Sequence, residues 1–395
     1  MKAAILTIGD ELTCGYQLDT NAQFIARHLS ALPADVVLHT SVRDDVDAIR
    51  AALRVALRTA DILVIAGGLG PTEDDLTRQA IAAHFGVKLV ENPQALAHIQ
   101  ERFAHRGLEM PENNRIQAQV PAGSQIIYNS RGTAAGFHLR LKGNRHLFVT
   151  PGVPYEMEGM LTNAILPRLQ EIVRTGKCTR QAIVKVYGLP ESEIDQRIQT
   201  LLERTRNPLL GLLPDRGTIT VEVVATGKTS KEAQALIEAD IATLRAELGD
   251  HIISEDGRGL AQVTVDLLAE REMTIALAEV GTGGLVAASI TGANGAEHWF
   301  RGGTVVASED GDPEALAKVL AAREATVADI GVGVGPIIVP EDSEPSNPYG
   351  LVSVAVNVRG QEAFQALRYN GDGARVREWA ADGALALVRK ALLEL

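Results

Sequence analysis

Hydrophobic positions in the N-terminal part of the chain follow two different periods. Residues 3–8 and 61–66 are apolar runs of the length of a buried strand, in which Thr7 and Asp61 are the polar residues, whereas residues 21–29 and 78–85 carry apolar side chains at helical spacing. Residues 35–40 predict a further strand. Strands that alternate with helices of this length predict an α/β fold, in which a parallel sheet carries helices on both faces.

The pattern changes after residue 172. Strand-like alternation at residues 181–188 and 218–225, with helical spacing over 230–248, predicts a small α+β unit. A third region of α/β type begins near residue 259, and its strand at 273–279 runs into a second glycine-containing junction. We therefore predict three domains, with boundaries at 1–172, 173–254 and 259–395.

Composition narrows the classes of function. The chain has 395 residues, 46% of them apolar, and a net charge of −12, so it lacks the excess of Lys and Arg that a general nucleic-acid binder needs. Two cysteines, Cys14 and Cys178, are too few for a disulfide framework and fit a reducing compartment. Because no apolar run reaches membrane-spanning length, we expect a cytoplasmic protein without a membrane partner.

A glycine-rich stretch at residues 67–77 lies between a predicted strand and a predicted helix. Its glycines let the backbone approach a ligand, and amides at the start of the helix are donors for a phosphate. Asp74 and Asp75 suit either a helix start or a hard divalent cation. Asp10 and Asp44 also follow predicted strands, at the edge of a parallel sheet where ligands bind. Taken alone, a short glycine stretch of this kind is more often a tight turn followed by a capped helix.

Six further blocks accompany this stretch in a fixed order: Gly9-Asp10-Glu11-Leu12, Asp19-Thr20-Asn21, Asp44-Asp45, Asn114 with Gln117-Ala118, Gly132-Thr133-Ala134, and Pro151-Gly152-Val153-Pro154 with Glu156-Met157. With these blocks the first ~170 residues resemble the CinA family (competence- and damage-inducible protein A). The N-terminal domain of that family is similar to the molybdopterin-binding fold of molybdenum-cofactor biosynthesis proteins.

The resemblance implies a pyrophosphatase that acts on ADP-ribose or a related nucleotide diphosphate with Mg²⁺, Mn²⁺ or Co²⁺. It assigns catalysis to Asp44 and Asp75, although capping of the following helix is an alternative role for Asp44 and Asp45. The expected metal ligands are Asp44, Asp74, Asp75 and Glu11. The expected substrate-binding residues are Gly67, Gly68, Leu69, Gly70, Thr72, Asn114, Gln117, Gly132, Thr133, Pro151 and Gly152.

The middle region is similar to the KH-like middle domain of the family. A KH domain clamps RNA through a Gly-X-X-Gly loop, and no such tetrapeptide occurs in residues 173–252. We therefore expect a spacer or dimerisation domain within a homodimer, and no strong affinity for nucleic acid.

The third region resembles the family's nicotinamide mononucleotide deamidase domain, but it departs from the family pattern. Val280 stands where the family has its serine nucleophile, and a valine has no heteroatom that could attack an amide. The family's lysine is missing from residues 307–312, and its binding loop is shortened to residues 333–336. We therefore expect an inactive domain, with Thr282 left open as a replacement nucleophile. The lost site comprises Val280, Thr282, Gly283 and Gly284.

Four functions remain in view from the sequence. The first is metal-dependent hydrolysis of a nucleotide diphosphate by the N-terminal domain, and the second is a non-catalytic nucleotide-binding scaffold in competence or the DNA-damage response. Residual nicotinamide-nucleotide amidase activity is the third. Handling of a molybdopterin-type cofactor ranks last, because only the resemblance in fold supports it.

Overall fold

The computed structural model describes residues 1–173, 178–307, 312–340 and 348–395, which fall into two units. The first unit consists of Met1–Arg180 with Thr226–Ala233, and the second of Gln181–Ala225 with Gln234–Leu395. The three domain boundaries given above are a finer division and stay a prediction.

The elements of the first unit follow the predicted alternation, and the five predicted strands and helices end within about two residues of the expected positions. They are β1 (Lys2–Ile8), α1 (Asp10–Thr13), α2 (Thr20–Ser30), β2 (Asp35–Val42), α3 (Val46–Thr59), β3 (Ile62–Ala66), α4 (Thr77–Phe85), β4 (Leu89–Glu91), α5 (Pro93–Ala104), β5 (Gln119–Pro121), β6 (Gln125–Ile127), β7 (Gly136–Leu141), β8 (Arg145–Thr150), α6 (Pro154–Met160) and α7 (Leu166–Ile172).

Six of these strands form one sheet in the order β2-β1-β3-β8-β7-β6. The first four are parallel, whereas β7 and β6 pair antiparallel, so the sheet is mixed at one edge rather than wholly parallel. Ala66 pairs with Thr7 on one side and with Thr150 on the other. The carboxyl ends of the four parallel strands therefore meet at one edge of the sheet.

Both faces of this sheet are covered. Ala3 and Ile5 of β1 pack in a core with α2 and α6, and the alternate residues Ala4 and Leu6 pack in a second core with α3 and α4. All four side chains are at most 1% exposed. Because successive side chains of a strand point to opposite faces, the continuous apolar run of β1 is the signature of a sheet buried on both sides.

The remaining elements include every strand and helix predicted for residues 181–393. The second unit also contains strands that the sequence analysis did not predict, at Leu209–Asp215, Ile252–Ser254, Ile330–Ile338 and Gln361–Asn370. The third of these is a central strand and contains residues 333–336, so the expected binding loop at these residues is wrong. The elements are β9 (Cys178–Tyr187), α8 (Glu191–Arg197), β10 (Leu209–Asp215), β11 (Thr218–Gly227), α9 (Ser230–Leu248), β12 (Ile252–Ser254), α10 (Leu260–Glu270), β13 (Ile275–Glu279), α11 (Leu285–Thr291), β14 (Phe300–Val305), α12 (Pro313–Glu324), β15 (Ile330–Ile338), β16 (Tyr349–Val358), β17 (Gln361–Asn370) and α13 (Gly373–Leu393).

Two sheets organise the second unit, in the orders β10-β11-β9-β12 and β14-β13-β15-β16-β17. In the five-stranded sheet β14, β13 and β15 are parallel, and β16 and β17 are antiparallel. The apolar face of α13 packs in the core of this unit, with Leu385, Val388 and Leu392 at most 1% exposed. Among the described residues, no helix has the length and apolar character needed to cross a bilayer.

Candidate functional site

The carboxyl edge of the parallel strands gathers the loops that the sequence singled out. Gly9 follows β1 and donates its amide to Val42 O at 3.0 Å, and Gly67 follows β3 and donates to Thr150 O at 3.1 Å. The segments that leave β1, β2, β3 and β8 are thereby joined two by two. Polar groups that are far apart along the chain therefore lie at one edge, as the rule for open α/β sheets requires.

The glycine-rich loop needs its glycines for two physical reasons. Gly67 and Gly68 have φ values of 118° and 65°, in the region that disfavours a side chain. A Cβ atom at Gly67 would lie 2.2 Å from the carbonyl oxygen of Ile8, and one at Gly68 would lie 2.2 Å from Oγ1 of Thr77. The loop thus packs directly against the end of β1 and the start of α4.

Asp75 is turned into this loop. Its Oδ1 accepts the amide of Gly70 at 2.6 Å, and its Oδ2 accepts the amide and hydroxyl of Thr72 at 2.9 and 2.5 Å. The amide of Gly70 and the hydroxyl of Thr72, both expected to bind substrate, are therefore engaged by Asp75. Leu69, also expected to bind substrate, is 1% exposed and packs in the core.

The helix that follows the loop begins one residue before the stretch of helical spacing predicted for it. A helix start was one of two roles considered for Asp74 and Asp75, but α4 begins at Thr77 and has no acidic residue in its first turn. Thr77 closes the junction, with its hydroxyl donating to Gly67 O at 2.8 Å. Both carboxylates therefore belong to the loop, because the backbone turns into the helix only after Leu76.

Arg78 was not identified from the sequence, and it supports the loop from below. It is 1% exposed, and its guanidinium donates to Leu69 O and Gly70 O, each at 2.7 Å. Burial lowers its pKa to about 10, and the charge of Asp75 opposes this shift. An arginine at this pKa stays charged, so a fixed cation lies under the peptide units that were expected to cradle a phosphate.

Four carboxylates beside the loop are close enough to interact electrostatically. Asp44 Oδ2 accepts the amide of Asp10 at 3.0 Å, and Asp10 Oδ1 accepts the amide of Asp44 at 3.2 Å. Burial raises the pKa of Asp44, as do the charges of Asp10, Glu11 and Asp74, whereas the bond from the Asp10 amide opposes this rise. The electrostatic neighbour of Asp44 in the glycine loop is therefore Asp74. We call Asp10, Glu11, Asp44 and Asp74 the acidic group.

Helix capping is the task of Asp45 and not of Asp44. The side chain of Asp45 accepts the amide of Ala48 at 2.8 Å at the start of α3. Because Asp45 caps α3, the carboxylate of Asp44 is not needed there and interacts with the other members of the acidic group. Of the two roles that the sequence left open for these aspartates, helix capping thus belongs to Asp45, and Asp44 belongs to the acidic group.

The acidic group is chemically suited to a hard divalent cation, since it offers only oxygen ligands and an excess of negative charge. Within the described ranges, no group of three or more His, Cys, Asp or Glu side chains forms a preassembled metal site. Mg²⁺ is commonly held by one or two carboxylates together with substrate phosphates, so a complete protein cage is not needed. The residues present fit that mode of binding.

Several other predicted contacts also reach the loop. Gln117 Nε2 lies 3.5 Å from Leu69 O, and Asn114 Nδ2 donates to Gln117 Oε1 at 3.1 Å. A Cβ atom at Gly152 would lie 3.3 Å from the Cα atom of Gly67, which places Pro151 and Gly152 beside the loop. These residues therefore form the wall of the candidate site.

Asn21 is a second residue that the assignment of roles had left out. Its Nδ2 donates to Gly152 O at 2.6 Å, and its Oδ1 is buried without a partner among the described residues. Asp19 caps the helix that carries it, because Oδ1 of Asp19 accepts the amide of Ala22 at 2.8 Å. Asn21 therefore joins the start of α2 to the segment after β8.

Gly132 and Thr133 lie beside Glu156. A Cβ atom at Gly132 would lie 2.1 Å from the carboxyl group of Glu156, and Asn129 joins the two segments by donating to Glu156 Oε2 at 2.8 Å. Gly132 also donates its amide to Asn129 Oδ1 at 3.0 Å. This amide is therefore already engaged within the protein.

The second glycine junction follows β13 and is organised around Glu279. This glutamate is 1% exposed and accepts the hydroxyl of Thr282 at 2.7 Å and the amides of Gly284, Val286 and Ala287 at 2.8 to 3.1 Å. Gly283 and Gly284 have φ values of 63° and 96°. The donors of this junction are thus occupied by a carboxylate of the chain itself.

The proposed replacements at this junction are restricted. Thr282 is 0% exposed and its hydroxyl points to Glu279, while Val280 has its amide in the sheet, donating to Val334 O at 2.9 Å. Residues 308–311, which fall in the segment where the family's lysine is missing, lie outside the described residues. Lys318 is paired with Glu314 at 2.7 Å.

Family models of known proteins match three consecutive regions of the chain. Family models described as a probable molybdopterin binding domain, the KH domain of damage-inducible protein CinA, and the CinA C-terminal domain match residues 4–171, 181–254, and 258–319 with 311–392. The first of these matches establishes the fold class predicted for the N-terminal region.

Full-length relatives agree with these matches. A CinA-like protein of Dictyoglomus thermophilum is 33% identical over 414 residues, and one of Koribacter versatilis is 33% identical over 417 residues, each covering 100% of both chains. The crystal structure of a protein CinA from Thermoplasma acidophilum is 34% identical, covers 44% of this chain and 98% of its own, and has a TM-score of 0.40. On the family models and the full-length relatives, the chain belongs to the CinA-like protein family.

Proposed function

We propose that the N-terminal domain hydrolyses the phosphoanhydride bond of ADP-ribose or a related nucleotide diphosphate with the help of Mg²⁺, Mn²⁺ or Co²⁺. The observation that carries this proposal is the position of the acidic group beside the glycine loop, at the carboxyl edge of the parallel strands. A phosphoanhydride needs positive charge on its oxygens and a base near the attacking water, and both requirements point to this edge.

The residues of the site would divide the work. The Gly68 segment, with Arg78 beneath it, offers a positive environment to the diphosphate, since the guanidinium is buried and fixed by two carbonyl oxygens. Asp75 is a positioning residue, because its contacts are with Gly70 and Thr72.

Asp44 is proposed as the group that accepts a proton from the attacking water, since it is the half-buried member of the acidic group. Asp44, Asp74 and Glu11 would hold the divalent cation. When bound, the cation would neutralise charge on the phosphate oxygens as the bond breaks.

We further propose that the C-terminal domain has lost deamidase activity. Val280 cannot act as a nucleophile, and the hydroxyl of Thr282 is buried and donated to Glu279. The full-length chain is therefore expected to release no ammonia from nicotinamide mononucleotide. Ammonia release above the rate of a protein-free blank would contradict this part of the proposal.

The hydrolase proposal is tested with the full-length chain, ADP-ribose and each of the three metals in turn. We expect AMP and ribose phosphate to appear only with metal, and we expect Asp44→Asn to lower kcat at least ~100-fold. Asp35→Asn is a matched control, because Asp35 is exposed and begins β2 at the opposite edge of the sheet. Binding of ADP-ribose without turnover under all three metals would instead establish a nucleotide-binding scaffold.

A further inference from the structure

A basic cleft lies at the end of the first unit's sheet opposite the candidate active site. Its walls are the last turns of α3 and α4 and the hairpin that joins β7 to β8, and its volume is about 550 Å³. The hairpin precedes Arg145, the first residue of β8, whereas the acidic group lies at the other end of the parallel strands. The basic side chains of the cleft are Arg54, Arg58, His84, Arg140, Lys142 and Arg145.

The charge of this cleft is unusual for the chain, which carries a net charge of −12. Five Lys and Arg side chains line it, and no Asp or Glu does. Arg145 is held by carbonyl oxygens, donating to Leu57 O at 2.8 Å and to Lys142 O at 3.2 Å. Among the described residues, the other four form no ion pair within 4.0 Å.

Complementing the helix dipoles does not account for this charge. The C-terminal ends of α3 and α4 each carry a partial charge of about −0.5, so the two ends balance about one of the five cations. An excess of about four positive charges remains. Consistent with a positive potential, the pKa of His84 is lowered by burial and by the charges of Arg50 and Arg54.

The floor of the cleft is apolar. Leu57, Phe85 and Leu141 are half-buried, and the rings of His84 and Phe85 meet edge to face with centroids 4.8 Å apart. A volume of 300 to 1,000 Å³, apolar walls and a few convergent charged groups are typical of small-molecule sites. A ligand that satisfies this cleft therefore combines several negative charges with a flat or apolar group.

We propose that this cleft is a second ligand site, which binds a small phosphorylated molecule with an aromatic group, of the nucleotide class. A nucleic acid is less well matched, because a backbone-binding surface needs a basic stripe along several phosphates and platforms for successive bases. Here the cations converge on one cleft, and its aromatic lining consists of the neighbouring rings of His84 and Phe85.

The test uses the full-length chain and the fluorescent probe N-methylanthraniloyl-ADP, titrated in the absence of divalent cations. We expect the double variant Arg58→Glu with Arg140→Glu to raise the dissociation constant of the probe at least ~10-fold. Lys142→Glu alone should raise it as well, by a smaller factor. Arg106→Glu is the matched control, because Arg106 is exposed, carries no ion pair in the described part of the chain and does not line the cleft. The control should change affinity less than ~2-fold.

A second readout gives the position of the bound probe. The ring resonances of His84 should shift on addition of the probe in the unaltered chain and stay in place in the double variant. An unchanged titration in both cleft variants, or a His84 signal that does not respond, would overturn the proposal. Displacement of the probe by single-stranded DNA, with affinity rising with strand length, would assign the cleft to nucleic acid instead. Neither readout depends on hydrolysis of ADP-ribose at the acidic group.

Discussion

At the scale of single residues, Asp74 and Asp75 are neighbours with different surroundings. Asp75 accepts three hydrogen bonds from Gly70 and Thr72, whereas Asp74 is exposed and its charge contributes to raising the pKa of Asp44. A hydrogen bond with Thr72 holds the pKa of Asp74 below its ordinary value, so Asp74 stays negative at neutral pH. The resemblance implies metal binding for both residues and catalysis for Asp75, whereas we propose a ligand role for Asp74 and a positioning role for Asp75.

This difference predicts separate kinetic effects of the two amide variants. Asp74→Asn should raise the metal concentration needed for half-maximal hydrolysis about 10-fold, because it removes a charged ligand. Asp75→Asn should leave that concentration within ~2-fold and lower kcat/KM about 10- to 100-fold, because the amide cannot accept all three hydrogen bonds of the loop. Metal titrations of the initial rate check both values. Equal metal dependence of the two variants would contradict the division.

Arg78 carries a second prediction at this scale. Arg78→Met keeps most of the side-chain volume but leaves Leu69 O and Gly70 O without their donors. We expect a loss of about 2 kcal/mol or more in the free energy of unfolding, since each buried acceptor costs about 1–3 kcal/mol. We also expect weaker binding of ADP-ribose. Urea unfolding followed by amide hydrogen exchange in β3 measures the first effect.

Arg106→Met is the control for this substitution, because Arg106 is an exposed arginine of the same unit. Its unfolding free energy should stay within about 0.5 kcal/mol of the unaltered chain. If Arg78→Met were equally mild, the guanidinium would not be supporting the loop.

At the scale of elements, the loop after β3 should be intolerant of side chains. Gly67→Ala places a Cβ atom 2.2 Å from Ile8 O at a φ of 118°, so we expect a loss of about 3 kcal/mol or more in stability. Gly86→Ala is the matched control, because Gly86 has a φ of 66° but no atom within 4 Å of the added Cβ. It should cost about 1 kcal/mol. Equal losses would mean that backbone strain alone, and not the contact with β1, fixes the loop.

Regular elements could be predicted because their signals are local. The apolar runs of β1 and β3 indicate strands that are buried on both faces of the sheet. The apolar spacing of α2 and α4 indicates helices with one buried face, and residues 373–393 carry an apolar stripe of the same kind. The antiparallel edge of the first sheet was not predicted, because an apolar run indicates burial but not the direction in which a strand pairs with its neighbour. Edge strands β10, β12 and β17 were missed because an edge strand is buried on fewer sides. The central strand β15 was missed because its alternating glycines, Gly331, Gly333 and Gly335, are typical of a loop.

The site could be predicted in part. The resemblance named the glycine loop, Asp44 and Asp74, and all of them lie at the same edge of the sheet. It assigns catalysis to Asp75 and cannot show that this carboxylate is turned into the loop, because side-chain direction depends on the backbone of a loop that has no periodic signal. Nor could it find Arg78, because a charged residue in a helical pattern is ordinarily placed on the solvent side.

At the scale of the whole molecule, the first unit contains a buried pair of histidines, His138 and His146, that affects how its stability depends on pH. His138 and His146 are 7% and 4% exposed, their rings stack with centroids 5.2 Å apart, and His138 Nε2 lies 3.0 Å from His146 Nδ1. Burial, the charge of His146 and two arginines lower the pKa of His138 to about 4. Burial and Arg140 lower the pKa of His146 as well. The folded unit therefore holds this pair neutral.

This pair predicts an acid-dependent loss of stability in the first unit. An unfolded histidine titrates near pH 6.5, so between pH 6.5 and about 4 the unfolded state binds more protons than the folded state. The stabilising effect of a neutral His138 is complete above pH 6.5 and is lost as the pH falls towards 4. His138→Gln should reduce the loss of stability over this range by on the order of 1–2 kcal/mol.

The measurement has to report the first unit, and tryptophan fluorescence does not, because Trp299 and Trp379 both belong to the second unit. Amide hydrogen exchange in β1 and β8, followed from pH 7 to pH 4, reports the correct sheet once the intrinsic pH dependence of exchange is removed. His105→Gln is the control, since His105 is exposed and should leave the slope unchanged. A His138→Gln protein with the same slope as the unaltered chain would show that the acid sensitivity arises from other groups, such as His98, whose pKa is also lowered by burial.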